Sequence, residues 1–359
     1  MPTTTDTIGA ATGSTAGTRA GDDVLYRVDA KKVRAEIGKD RLIAMFKKML
    51  LIRHFEERAD QNYKAKKIAG FLHLYIGQEA VATAFYDHLS PGRDYTVTSY
   101  RCHAQALLSG LDPKELMAEL FGKVTGNVRG KGGSMHFFSK EKGMLGGHGI
   151  VGGQIPVGTG AAFTAKYLGT GGVSVTFLGD GASPQGTFHE SLNMAGLWRL
   201  PAIYLIENNL YGMGTACSRA VAVKNIAAAK APGYNLASFT YDGLDLYASW
   251  KVAQEAIALA RRNEPVLIEA KTYRYRGHSV SDPALYRSKE ELAQYQALDP
   301  IERIKADLIA EKWLSADEAE RINEETLERI QAAVAFSDES PEPPLSELSR
   351  HVFAEEPNR

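Results

Sequence analysis

Two short apolar runs, VSVTFLGDG (Val173–Gly181) and AIYLIENN (Ala202–Asn209), decide how this chain folds. The first is rich in β-branched residues and stops at Gly179-Asp180-Gly181. The second stops at Glu207-Asn208-Asn209. A helical segment, roughly Thr187 to Trp198, lies between them. Strand, helix and strand joined by short links make a βαβ unit, and such a crossover returns the second strand parallel to the first.

Downstream the pattern repeats. Leu246, Trp250, Ala253, Ile257 and Ala260 form an apolar stripe on one helix, and Pro265 opens a strand, VLIEAKTY (Val266–Tyr273). Upstream, residues 40–63 carry Leu42, Met45, Phe46, Met49 and Phe55 at helical spacing, and a short strand pattern covers Tyr95 to Ser99. Glycine is dense between Gly122 and Gly172. Alternating strands and helices predict an α/β fold: a doubly wound, mostly parallel sheet with helices on both faces. Beyond Asp299-Pro300 the chain turns charged and helical, with Ser315 placed to cap a helix reaching about Phe336. The expected organisation is a tail over residues 1–24, one α/β domain over 25–300, and a helical C-terminal extension over 301–359 packed on it. Within that extension, SPEPPLSEL reads as either an extended wrap or a linker. The Arg276 to Arg287 loop, charged and poor in apolar anchors, is expected to order when its ligand binds.

Composition excludes several classes. The 359 residues are 44% hydrophobic with a formal net charge of −1, and charges of both signs are interspersed. That leaves no electrostatic footprint for nucleic acid and no apolar run long enough for a membrane span. Cys102 and Cys217, the only cysteines, lack metal-ligand spacing and read as ordinary thiols in a reducing compartment. A transit peptide would be Arg-rich and poor in acids, whereas the first residues hold Arg19 alone beside Asp6, Asp22 and Asp23. A disordered tail on a cytoplasmic, bacterial protein is the reading. No GxxxxGK[ST] run is present, and GKGGS at Gly130 has the wrong spacing, which disfavours a nucleotide phosphotransferase.

Asp180 and Asn209 each stand just past the carboxyl end of a strand in one βαβ unit, on the sheet edge where open α/β folds bind ligands. The 26 residues from 182 to 207 are what a loop, helix, loop and strand require. One carboxylate, one carboxamide oxygen and a backbone carbonyl, that of Tyr211, make an all-oxygen set suited to magnesium shared with phosphate oxygens. A diphosphate ester carries roughly −2 to −3, magnesium brings +2 and Asp180 returns −1, so about two negative charges remain to be met. The GIVGGQ turn leading into a helix near Gln154 can supply backbone N–H groups. Arg101 can supply a fixed cation and His278, in YRYRGHS, a further donor.

The same residues resemble a known family. GDG followed by NN at this spacing is similar to the thiamine diphosphate signature. The segments FLHLYIGQEA, SYRCH, GKGGSMH, GGHGIVGGQIPVG, FLGDGASPQG, ENNLYGMGT, YDGLD and TYRYRGHSVSDP resemble the alpha subunit of the decarboxylating component of 2-oxo acid dehydrogenase complexes. The resemblance spans residues 40 to 345 and implies the thiamin diphosphate-binding fold. It implies that Asp180, Asn209 and the Tyr211 carbonyl hold magnesium. Tyr100, Arg101, Gly149, Val151, Asp180, Gly181, Ala182, Asn209 and His278 would contact thiamine diphosphate. His73 and His278 would be the catalytic histidines, since imidazole titrates near working pH. The resemblance further implies a beta subunit in an alpha2-beta2 heterotetramer, a glutamate supplied by that partner, and an acyl group passed to a lipoyl-bearing acyltransferase core. GMGT and GHSVSDP look like the pyruvate branch; branched-chain and acetoin relatives tend to carry a double His where this chain has Gly277-His278-Ser279. A non-catalytic assembly subunit is the rival reading. Ser279 falls where animal members are phosphorylated and reads here as a loop serine. Pro184 replaces the Asn common in the GDGAxNQG run, which bears on the shape of that turn.

Overall fold

The computed structural model describes residues 25–350 and 352, so the tail over residues 1–24 lies outside the described residues. Eight strands run in chain order as β1 (Tyr95–Ser99), β2 (Met144–His148), β3 (Ser174–Gly179), β4 (Ala202–Asn208), β5 (Tyr211–Gly212), β6 (Thr215–Ala216), β7 (Ala237–Asp242) and β8 (Val266–Lys271). Six of them form one sheet in the order β2-β1-β3-β4-β8-β7, and every pairing is parallel. β5 and β6 make a small antiparallel hairpin. From β1 the chain winds outward to β2, then returns to build the other side from β3. All carboxyl ends therefore share one edge, with the change of direction between β1 and β3.

The central strands are apolar throughout because both faces are covered. In β4, Ile203 and Leu205 pack into one core while Tyr204 and Ile206 pack into the other. Val266 and Ile268 of β8 join the first core, and Leu267 the second. Successive side chains point to opposite faces, so a residue run without polar interruption is what a two-sided strand requires. The helices Gln154–Tyr167 and Gly186–Trp198 cover one face; the helices Lys39–Lys64, Glu79–Tyr86 and Leu246–Arg261 cover the other.

Two strands of the six-stranded sheet, β2 and β7, escaped the sequence reading, as did the short β5–β6 hairpin. β2 lies inside the glycine-dense stretch and contains Gly146 and Gly147, residues with no β-propensity to betray it. The fold needs them small: a Cβ on Gly146 would come within 1.9 Å of the Phe138 ring. β7 sits at the sheet edge, half exposed, with little apolar continuity.

Tyr26 donates its amide to the Thr240 carbonyl at 2.6 Å and its hydroxyl to Glu255 at 2.6 Å, and Asp29 then caps the Ala30–Ile37 helix. Ser315 forms a capping box with Glu318 and starts a helix that runs past Phe336 to Glu339. That helix packs on the helices Lys39–Lys64 and Pro113–Leu120. The proline-rich segment wraps rather than links: Val124 donates to the Pro341 carbonyl, and Arg129 pairs with buried Glu347 at 2.8 Å. Among the described residues no helix is long and apolar enough to cross a membrane.

Candidate active site

The carboxyl edge of the sheet opens into a cleft, and each wall comes from the residues just past a different strand. Tyr100 and Arg101 come after β1, Val151 and Gln154 after β2, and Asp180, Gly181 and Ala182 after β3. Asn209 and Tyr211 come after β4, while Arg274 and His278 come after β8. Glu207 and Gln78 also line it.

Asp180 opens a single 3-10 turn, closed by the Ser183 amide on the Asp180 carbonyl and by the Gln185 amide on the Ala182 carbonyl. Neither bond draws on Pro184, which has no N–H to give, so the substitution leaves the turn intact. Gly181 and Gly212 meet back to back: a Cβ on either would lie 3.2 Å from the other's Cα. This contact holds the Asp180 turn against the β5–β6 hairpin and brings the Tyr211 carbonyl to the cleft. The Tyr211 side chain points elsewhere, its hydroxyl donating to both Glu291 oxygens at 3.0 Å.

The two asparagines divide their tasks. Asn208 is structural: it donates to Glu269 at 2.8 Å and accepts the Leu210 amide at 3.1 Å. Asn209 faces the cleft, its oxygen accepting from Arg274 Nη1 at 2.9 Å and its nitrogen donating to Gln78 Oε1 at 3.3 Å. The same Arg274 nitrogen donates to the Tyr211 carbonyl. Asp180 is 1% exposed and its Oδ2 has no hydrogen-bond partner. Burial raises its carboxyl to about 6, against the opposing pull of its own backbone amide and Arg274.

A divalent, oxygen-seeking cation fits this arrangement. A buried carboxylate oxygen is orphaned, and two neutral oxygens, Asn209 Oδ1 and the Tyr211 carbonyl, already converge on one positively charged nitrogen. Such a donor set is what magnesium takes beside phosphate oxygens.

Arg101 is buried and spans the cleft, donating to the Leu74 carbonyl and, at 3.0 Å, to the His278 carbonyl. His73, Tyr100 and His278 form an aromatic cluster: the His73 ring lies 4.4 Å from Tyr100 and 5.1 Å from His278. His73 stands behind Tyr100 rather than in the cleft wall. Gly149, next after β2, also lies outside the wall. Burial, reinforced by the Arg101 charge, depresses His73 to about 2 and His278 to about 4. Both imidazoles are thus neutral at working pH, unlike free histidines titrating near it. Glu207 is pushed the other way, to about 7, by burial; Tyr75 donates its hydroxyl to it.

The loop from Arg276 to Arg287 is pinned mainly by polar contacts, with Val280 as its apolar anchor on the core. Asp282 accepts from the His278 amide at 2.6 Å, the Ala284 amide at 2.9 Å and the Tyr286 hydroxyl at 2.8 Å. Arg287 donates to the carbonyls of Arg274, Tyr275 and Arg276. Sequence reasoning that counted apolar anchors missed this network. It also missed Arg274, Gln78 and Glu207, and used Gln154 only to mark the turn that precedes its helix. For Arg274 a signal existed, since a cation directly after a buried strand falls on the same sheet edge as Asp180.

The family described as "Dehydrogenase E1 component" matches residues 47–346. A protein of Rickettsia felis named "Pyruvate dehydrogenase E1 component subunit alpha" is 45% identical over 327 residues, covering 91% of this chain and 100% of the relative. Proteins of the same name from Rhizobium meliloti and Zymomonas mobilis are 46% and 43% identical, over 89% of this chain and 92% and 90% of their own lengths.

Proposed function

The chain belongs to the dehydrogenase E1 component family, and from that premise we propose that it works as the alpha subunit of a two-chain pyruvate dehydrogenase. With a beta subunit, in an alpha2-beta2 heterotetramer, it decarboxylates pyruvate on thiamine diphosphate and passes the acetyl group to the lipoyl group of an acyltransferase core. Relatives of that name, and the single histidine in Gly277-His278-Ser279, support pyruvate over branched-chain acids or acetoin. Their bacterial sources support a cytoplasmic setting. In this reading residues 25–300 are the cofactor-binding domain and the described part of 301–359 is a helical extension packed on it.

The observation that carries the reading is the orphaned Asp180 oxygen beside the convergent oxygens of Asn209 and Tyr211. Asp180, Asn209 and the Tyr211 carbonyl would hold magnesium. Tyr100, Arg101, Gly149, Val151, Gly181, Ala182 and His278 would contact the cofactor. Thiamine diphosphate, held by these residues, would supply the electron sink that decarboxylation needs. This chain's residues bind, orient and exclude water. Neutral His278, its backbone held by Arg101 and Asp282, presents an imidazole able to accept or donate a hydrogen bond without adding charge. His73 buttresses it from behind. The carboxylate needed against the aminopyrimidine ring would come from the beta subunit.

Mixing the chain with its beta subunit, thiamine diphosphate, magnesium and each candidate 2-oxo acid tests the assignment. Turnover of pyruvate by the pair alone is expected; activity from the isolated chain would overturn the two-subunit account. His278→Ala is expected to keep the fold and cut turnover by about 10²-fold or more. Near-normal turnover would remove His278 from the machinery.

A further inference from the structure

We propose that Arg274 and Gln78 are positioning residues that lock the Asn209 carboxamide with its oxygen toward the metal. This inference rests on the reading of Asp180, Asn209 and Tyr211 as the metal-binding set. A carboxamide presents an oxygen and a nitrogen in nearly the same shape, and a divalent cation accepts only the oxygen. An asparagine ligand therefore needs something to choose between its two orientations.

Here both ends are chosen. Arg274, 1% exposed, has only donors, and its Nη1 takes the Asn209 oxygen at 2.9 Å. Gln78, fully buried, offers its oxygen to the Asn209 nitrogen at 3.3 Å. Turning the Asn209 amide over would set its NH₂ against the guanidinium, and its oxygen against the Gln78 oxygen unless that amide turned as well. The selection then passes on. With its oxygen committed to Asn209, Gln78 keeps its Nε2 without a partner at the wall of the cleft. That nitrogen is a donor available to an anion bound beside the metal.

Arg274 approaches without usurping the cation's place. Each oxygen it touches retains a second lone pair, and Asp180 Oδ2 remains unpartnered. The guanidinium thus steers the neutral ligands and leaves the charged one for the metal. Its other nitrogen donates to the Met213 carbonyl and, at 2.6 Å, to the Tyr286 hydroxyl. Tyr286 in turn donates to Asp282, which accepts the His278 amide. One planar fork therefore ties the Asn209 and Tyr211 oxygens to the backbone that carries His278. Lysine, a single point charge, cannot reach all four oxygens.

The test uses manganese as the probe. The full chain, co-expressed with its beta subunit, is titrated with Mn²⁺ at saturating thiamine diphosphate while free Mn²⁺ is followed by electron paramagnetic resonance. Arg274→Met is expected to weaken Mn²⁺ binding by about tenfold or more. Arg274→Lys should recover only part of that, and Gln78→Met, which leaves every charge in place, should lose severalfold. Thermal melting and circular dichroism check that each variant is folded. Should Arg274→Met fail to fold, Gln78→Met decides alone. Unchanged Mn²⁺ affinity in folded variants overturns the inference, and so does a gain in affinity, which would mark Arg274 as a cation that merely competes. Wild-type protein that takes up no Mn²⁺ would instead overturn the metal-site reading itself.

Discussion

Asp180 enters the metal-free fold as a buried carboxylate with one oxygen that meets no donor. Such a group costs stability until a cation arrives, because its charge has lost water and gained no equivalent. Asp180→Asn is therefore expected to raise the melting midpoint of the metal-free protein while abolishing magnesium-dependent cofactor binding. Calorimetry showing unchanged affinity would contradict the site. The histidines give a second expectation. Burial holds His278 at about 4 and His73 at about 2, both below the ordinary 6.5. As pH falls through 6.5 the unfolded chain takes up protons that the fold refuses, so stability contributed here is present above that pH and declines toward pH 4. Between pH 7.5 and 5 the raised carboxyls of Glu207 and Asp180 act in the opposite sense, so the expectation is comparative: denaturant midpoints should fall less, or rise more, on acidification in His278→Ala than in wild type. At this scale the sequence was informative for charged and turn-forming residues, because a residue just past a strand end is placed on the binding edge by the strand itself. It was silent on Gln78, and for Arg274 it gave only the edge position, because the parts of both depend on which hydrogen bonds a neighbouring amide has already made.

Glu119 shows how one side chain shapes an element with no regular structure. It lies fully buried near the end of the Pro113–Leu120 helix, and its two oxygens accept the amides of Val128, Gly130, Gly132 and Gly133. A charged acceptor replaces the secondary structure that the glycine-rich GKGGS turn cannot form. Glu119→Gln halves the acceptor capacity and sets an NH₂ against the amides. A loss of about 2–4 kcal/mol is expected in urea unfolding, with amide exchange rising first between residues 126 and 135. Protection equal to wild type would show that the turn holds itself. The same glycine density explains why β2 was illegible: it is a strand because β1 provides the pairing and Phe138 fills the space above Gly146, not because its residues favour extension. β3, β4 and β8 were legible for the opposite reason, as residues buried on two faces leave a continuous apolar record.

At the scale of the whole molecule, one surface stands out. Phe163, Tyr167 and Leu168 at the end of the Gln154–Tyr167 helix, with Leu197 and Trp198 on the next helix, are largely uncovered. Phe163 stacks on Tyr167 at 6.0 Å and leans on Trp198 at 5.7 Å, so the patch is contiguous. The helix that carries it begins in the cleft wall, at Gln154. A partner seated there would cover apolar surface and approach the open side of the cleft in one step. Tyr167→Asp is expected to weaken assembly with the beta subunit by about tenfold or more, read by light scattering on the mixed chains. Undiminished assembly would move the partner elsewhere.

The all-parallel sheet also fixes how the chain must find its shape. Tyr95 lies beside Ser174, and Ile203 beside Val266, so no pair of strands in it can zip from a tight turn. Each contact asks for a long loop to close before any reward is felt, which places the domain among slow, high-contact-order folders. Newly made chains should spend that interval with β3 and β4, its most apolar segments, open to one another's copies. Yield in refolding by dilution should accordingly fall as protein concentration rises, well before native stability changes at all.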